Sequence, residues 1–443
     1  MKQSEFIAAL DLGTSKITAM VGRKNEQNEI SVIAVEKEDS ETCIRRACVY
    51  NVEKTADKIT KLLKKLNAKL PSEIERIYVG IGGQSLRSEV HTVKRSVPTG
   101  IVTDQLIQSL FSECKKYKPE FVEVLDIVEP EYYLDGRPEM NPIGVQCSKI
   151  EAKFKLVLGR PSLKRTLQKS IKEKANIEIA GYIVAPIATA MATLTHTEKE
   201  LGCALIELGA GITYLSIYKN KSLKFLISIP LGGNVITKDI CNLNVLENEA
   251  EELKIHYGSA LIDLDNEKAQ PAQLADGSHR IREIELSKLN NIIEARMDEI
   301  LANISHQIEL SGFGDALGAG IIITGGGAAL NNLSESVKSK LGYEVRIASV
   351  KKSLVNSAEI GGDYGNVQAV GLLAMGKNNC AKIIEVKQET LVEQSLFKDE
   401  EVEVVQIKQS NPTIQQQESK EKGFFKRMKK NFDGFSKKLF DEE

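Results

Sequence analysis

Apolar residues recur along this chain in two rhythms. Unbroken apolar runs that stop at glycine predict strands at 6–21 (a hairpin around Gly13), 30–35, 76–83 and 321–324, with a second hairpin within 199–224. Further strands are predicted at 122–130 and 152–158. Helical spacing predicts helices at 52–66, 103–117, 163–175, 248–256, 286–310 and 367–373, the second capped by Thr103 or Asp104. Strands and helices thus alternate, which predicts an α/β protein, and 443 residues suffice for two large domains.

Two of the strand pairs are copies of one device. AALDLGTSKITAMVG (8–22) aligns with ALIELGAGITYLSIY (204–218), so that Asp11 falls on Glu207 and Gly13 on Gly209. Each is an apolar strand, an acid, a glycine-rich turn and a second apolar strand. Glycine lets backbone N–H groups approach a phosphate, and a side chain at Gly13 or Gly211 is expected to fill phosphate space. The acid can hold Mg²⁺ through water. A third element, IIITGGGAAL (321–330), is a strand followed by three glycines and an expected helix start, suited to the ribose and phosphate side of a nucleotide. Together they predict a clamp on a polyphosphate that is not a P-loop.

With these motifs the chain resembles the actin/Hsp70/hexokinase superfamily and, within it, the FtsA family of bacterial cell-division proteins. NPIGVQCSKIEAKF (141–154), VAPIATAMATL (184–194), IPLGGNVITKDI (229–240), AEELKIHYGSAL (250–261) and YGNVQAVGLLAMG (364–376) carry the resemblance, which spans roughly residues 5–377 and resumes at the C-terminus. It implies an actin-like fold of two similar lobes around a nucleotide cleft, with an inserted small α+β subdomain and a C-terminal amphipathic helix. On that plan lobe 1 takes 1–83, 162–198 and 364–377. The insert is 84–161, serving contacts between subunits or with division partners. Lobe 2 takes 199–239 and 311–363, with a helical subdomain at 240–310.

The resemblance also implies site residues for ATP and Mg²⁺. Asp11 and Glu207 would orient the metal. Gly13, Thr14, Ser15 and Lys16 would form one phosphate turn, and Gly209, Gly211 and Thr213 the other. Glu251 and Lys254, three apart on a helix, would face ribose and adenine; on their own they read equally well as a surface ion pair. Gly325, Gly326 and Gly327 would back the adenosine. Glu207 departs from the superfamily's usual Asp, which moves the carboxylate outward. In related proteins a Glu that positions the attacking water precedes the proline of the segment matching VAPIATA; here that position is Ala185. Slow hydrolysis or none follows, with ATP closing the cleft and favouring polymerisation.

Composition adds limits. Net charge is −2, so no nucleic-acid partner is expected and any basic surface is local. The seven cysteines form no CxxC pair, as in a reduced cytosolic protein. Residues 1–5 are polar and run into the first strand, so no signal peptide is expected. Residues 378–422 are polar and aperiodic and read as a flexible linker spanning ~35–40 Å.

The tail, 423–443, holds GFFKRMKKNFDGFSKKLF. On a helix, Phe424, Phe425, Met428, Phe432, Phe435 and Leu439 share an arc of roughly 100°. Lys426, Arg427, Lys429, Lys430, Lys437 and Lys438 lie outside it. Such a helix is too short and charged to span a bilayer but suits an anionic membrane surface; docking on the protein's own core or on a partner are the bland alternatives. One tail should bind reversibly, and a polymer far more tightly. The resemblance implies a tethered scaffold on the cytoplasmic face of the membrane at the division site. It would self-assemble, bind the FtsZ C-terminal tail through 240–310, and recruit later division proteins. Arg296 matches a basic position there, and alone reads as solvated helix charge. Alternatives are a PilM-like scaffold of type IV pili and a small-molecule kinase of the same superfamily. The kinase lacks a candidate base, and an Hsp70 chaperone is too long for this chain.

Overall fold

The first apolar run becomes a fully buried central strand, β1 (Ile7–Leu12), and β2 (Lys16–Lys24) folds back on it from Leu12↔Ile17 to Ile7↔Gly22. The computed structural model describes residues 5–382 except 41, 263–271, 276–280, 356–359 and 361, and except the side chains of 129, 272–275, 281 and 282. Expectations for 383–443, including the tail helix, lie outside the described residues.

After β3 (Ile30–Asp39), helix α1 (Val52–Asn67) buries Ile59, Leu62, Leu63 and Leu66, and Asn51 caps it by accepting from the Lys54 N–H. It returns the chain to β4 (Arg76–Ile81), parallel to β1. The insert follows: β5 (Arg87–Ser96), α2 (Asp104–Lys116) capped by Thr103, β6 (Glu123–Leu134), β7 (Arg137–Glu139) and β8 (Lys149–Gly159). Helix α3 (Pro161–Gln168) runs on as a π-helical turn, and β9 (Glu178–Val184) completes a five-stranded sheet in the order β9-β4-β1-β2-β3.

The second half repeats the plan. Helices α4 (Ala185–Thr193) and α5 (His196–Leu201) lead into β10 (Cys203–Leu208), β11 (Thr213–Lys219) and β12 (Ser222–Ile229). Helices α6 (Gly233–Ile240), α7 (Glu247–Tyr257) and α8 (Leu286–Ser311) form the helical subdomain. Then come β13 (Ile321–Thr324), α9 (Leu333–Leu341), β14 (Val345–Ile347) and α10 (Val367–Met375). Strands β14-β13-β10-β11-β12 stand in the order of β9-β4-β1-β2-β3, so the sequence copy is a copy of architecture.

The insert does not stand apart as its own sheet. Its strands continue the second lobe's sheet as β12-β5-β8-β6-β7, through the pair Ile227↔Arg87. The Ser228 N–H donates to the Leu86 carbonyl at 3.0 Å, and Lys224 forms an ion pair with Glu131. Two other expectations need correction. The glycines at 325–327 do not open a helix: Gly326–Ala329 is a 3₁₀ turn, and α9 begins only at Leu333. The linker does not begin at 378: Cys380 is buried, its N–H donates to the Phe6 carbonyl at 2.7 Å, and Ala381 bridges to Ile74.

Helices α4 and α10 are apolar nearly all round and cross each other in the core. Their crossing is so close that a Cβ at Gly371 would lie 1.9 Å from the Ala188 carbonyl oxygen. Gly→Ala inside a helix ordinarily stabilises by up to ~1 kcal/mol. Here the sign is reversed: Gly371→Ala is expected to lower unfolding stability by at least ~2 kcal/mol in a denaturant titration. An unchanged or raised midpoint would refute this packing.

Candidate functional site

The two copied turns face each other. Gly13 and Gly209 play the same part in each: a Cβ at either would lie 2.8 Å from the carbonyl oxygen three residues on, of Lys16 and of Ile212. Glycine at both positions is therefore required by the turn's own backbone, whatever space a phosphate needs beside Gly13. Gly211 is different, because a Cβ there would press on the Thr14 side chain at 2.6 Å. The turns of the two lobes touch at Thr14 and Gly211.

Each turn is braced from behind. Buried Ser40 donates to the Gly13 carbonyl at 2.6 Å, and Thr14 Oγ1 accepts from the Ala47 N–H at 2.9 Å. On the other side the first amides of α6 donate to the second turn, Gly233 to Gly209 at 2.9 Å and Asn234 to Ala210 at 2.7 Å. Ser15 and Lys16 are exposed at the mouth of the first turn. Thr213 is fully buried and donates to the Leu231 carbonyl at 2.8 Å, so its hydroxyl holds the strand rather than facing the turn.

Between the turns lie Asp11 and Glu207. Burial, then the charge of Glu207, pushes the Asp11 carboxyl up to about 7, against a hydrogen bond from Gln368. Burial pushes Glu207 to about 7 as well, with Thr189 of α4 opposing by a hydrogen bond. Glu207 Oε2 is sealed from solvent and has no hydrogen-bond partner. Two buried carboxylates with one orphaned oxygen fit a hard cation that keeps most of its water and its phosphate ligands. Asp11 and Glu207 would hold Mg²⁺, which would supply positive charge between the carboxylates and a polyphosphate. Thr189 lies beside the longer Glu207 side chain, and its hydroxyl donates to the Ala185 carbonyl at 3.3 Å.

Around the adenosine side, Lys254 donates to Glu251 at 2.6 Å, to Thr237 Oγ1 at 2.8 Å and to the Gly233 carbonyl at 3.3 Å. The pair is thus tied to α6 beside the second turn, not loose on the surface. The three glycines divide their work. Cβ atoms at Gly325 and Gly327 would strike Leu208 at 2.6 and 2.9 Å, while at Gly326 the space is open. Arg296 lies away from this group, paired with Asp239 and Glu299.

Gln368, Thr189, Ser40 and Tyr214 escape a sequence reading. The first two stand inside segments that carry the resemblance, YGNVQAVG and VAPIATA, but nothing in their type marks them as carboxylate partners.

The family described as Cell division protein FtsA matches residues 204–363, and the SHS2 domain inserted in FTSA matches residues 83–158. The chain is 34% identical over 404 residues to Cell division protein FtsA of Porphyromonas gingivalis, covering 90% of this chain and 84% of that one. It is 28% identical to that of Neisseria meningitidis, covering 78% and 84%. Among solved structures, a chain of the PilM-PilN type IV pilus biogenesis complex aligns at TM-score 0.58 and 14% identity, covering 83% of this chain and 97% of that one. The fold is the actin-like one, with the expected inserted domain.

Facing carboxylates give a pH signature. A carboxylate raised to about 7 in the fold supports stability below its unfolded value, near 4, and loses that support as pH rises through 7. At pH 8 without metal, Asp11→Asn is therefore expected to stabilise the protein, on the order of 2–4 kcal/mol. The same variant should lose the stabilisation that Mg²⁺ with ATP gives the wild type, and that stabilisation should be larger at pH 8 than at pH 6. Thermal unfolding in both buffers reads this. Destabilisation of metal-free protein by Asp11→Asn at pH 8 would refute the facing pair.

Proposed function

The chain belongs to the FtsA family of bacterial cell-division proteins, and from that premise we propose that it is a membrane-tethered, ATP-binding scaffold. It polymerises, anchors FtsZ filaments at the cytoplasmic face of the membrane at the division site, and recruits later division proteins. The observation that carries the nucleotide part is the pair of facing turns with Asp11 and Glu207 between them. Gly13, Thr14, Ser15 and Lys16 serve one side of the phosphates, Gly209 and Gly211 the other. Glu251, Lys254 and Gly326 serve the nucleoside.

ATP acts here chiefly as a ligand that favours the closed, polymerising form. The first turn of α4 carries no acid, and Ala185 is buried, so the attacking water has no carboxylate to orient it from that helix. Turnover is expected far below the ~1–100 s⁻¹ of kinases. That same lack weighs against the small-molecule kinase. The pilus reading rests on fold likeness alone.

The membrane part rests on the tail's sequence. Four phenylalanines on one arc supply burial at about 25 cal/mol per Å², and each flanking cation adds up to ~1 kcal/mol at an anionic surface. Ordering the helix takes much of this back, so attachment depends on assembly. Arg296 on α8 is the basic position offered to an acidic FtsZ tail; its partners Asp239 and Glu299 fix the direction of the guanidinium.

Changing Phe432 and Phe435 to Glu is expected to abolish liposome binding while ATP binding persists. Lys429→Gln with Lys430→Gln should weaken it, more on anionic than on neutral vesicles, with salt shrinking the difference. Full liposome binding by a chain ending at Lys422 would refute the membrane role. Co-sedimentation with FtsZ filaments tests the scaffold: an intact protein left in the supernatant at all concentrations would refute it.

A further inference from the structure

Tyr214 sits on β11, opposite Glu207 in the strand register, with 3% of its surface exposed. Its ring belongs to the second lobe. Its hydroxyl crosses to the first, where it accepts the Gly83 N–H at 2.8 Å, just beyond the end of β4. The fit is close: a Cβ at Gly82 would lie 2.5 Å from that hydroxyl and 3.6 Å from the Ala185 Cβ. The phenol thus occupies a notch formed by Gly82, Gly83 and the start of α4, next to the carboxylate pair. Burial holds its pKa well above the usual phenol value, so it stays protonated and neutral there.

We propose that Tyr214 is a cross-lobe positioning residue: a strut that holds the two phosphate turns at binding distance before nucleotide arrives. This rests on the nucleotide reading above and deepens it. A scaffold that must close around ATP gains affinity when part of the closure is already made. A buried hydrogen bond of this kind is worth ~1 kcal/mol, about a fivefold change in an equilibrium constant. The strut also explains why Gly82 is glycine, although its backbone is not left-handed: any side chain there would push the hydroxyl out of the notch.

The test uses the full chain and Tyr214→Phe, which keeps the ring and removes only the hydroxyl. Amide exchange at Gly83 in nucleotide-free protein is expected to speed up at least ~10-fold. The Kd for Mg-ATP is expected to rise about fivefold. Gly82→Ala should reproduce both effects in the wild type and add little in the Tyr214→Phe background, because the two act on one contact. Unchanged Gly83 exchange in Tyr214→Phe would overturn the strut, and so would full additivity of the two variants. If the wild type binds no ATP, the nucleotide reading fails, while exchange in nucleotide-free protein still decides for or against the strut.

Discussion

Charging two desolvated carboxylates that feel each other's field is costly without a cation between them. Asp11 and Glu207 are in that position, each pushed to about 7, one with an oxygen no protein group satisfies. Much of the surrounding structure manages this strain. Gln368 reaches Asp11 from α10 and Thr189 reaches Glu207 from α4. These are the two helices that cross in the core at Gly371 and Ala188. The carboxylate pair and the helix crossing therefore involve the same two helices.

Duplication supplies the two acids in facing positions. One β-hairpin with an acid before its turn offers a single carboxylate to solvent. Two such hairpins, each at the same place in a matching order of five strands, give each lobe an acid at the same position. The copies have since diverged in their supports. The first turn is held by a serine from a loop, the second by the opening amides of a helix. They differ also where they meet: Thr14 of the first turn lies against Gly211 of the second.

Much of the fold was legible because the signals were local. Apolar runs ending in glycine marked the strands, and helix α8 was placed at 286–310 against an observed Leu286–Ser311. The copy of Asp11 and Gly13 at Glu207 and Gly209 was legible because alignment needs no tertiary knowledge. Long-range partners were not. Gln368 meets Asp11 across the length of the chain, and Tyr214 reads as an ordinary alternating strand residue. The glycines at 325–327 promised a helix because a glycine turn often precedes one; two of them are instead consumed by packing on Leu208, and the helix waits until Leu333. The linker seemed to start at 378 because polar residues there hid Cys380, whose burial depends on Phe6 at the far end of the sequence.

A short stretch after β4 gathers the consequences. Gly82 and Gly83 meet Tyr214; Leu86 meets Ser228; Arg87 pairs with Ile227; and Ser88 accepts from the Leu226 N–H at 2.9 Å. The chain leaves the first lobe here, touches β11 of the second lobe at Tyr214, joins the second lobe's sheet, and becomes the insert. The stretch runs on directly from β4 of the first sheet, while Gly83, Leu86 and Ser88 each hydrogen-bond to the second lobe. The few residues between Ile81 and Arg87 thus carry the chain from the first sheet into the second.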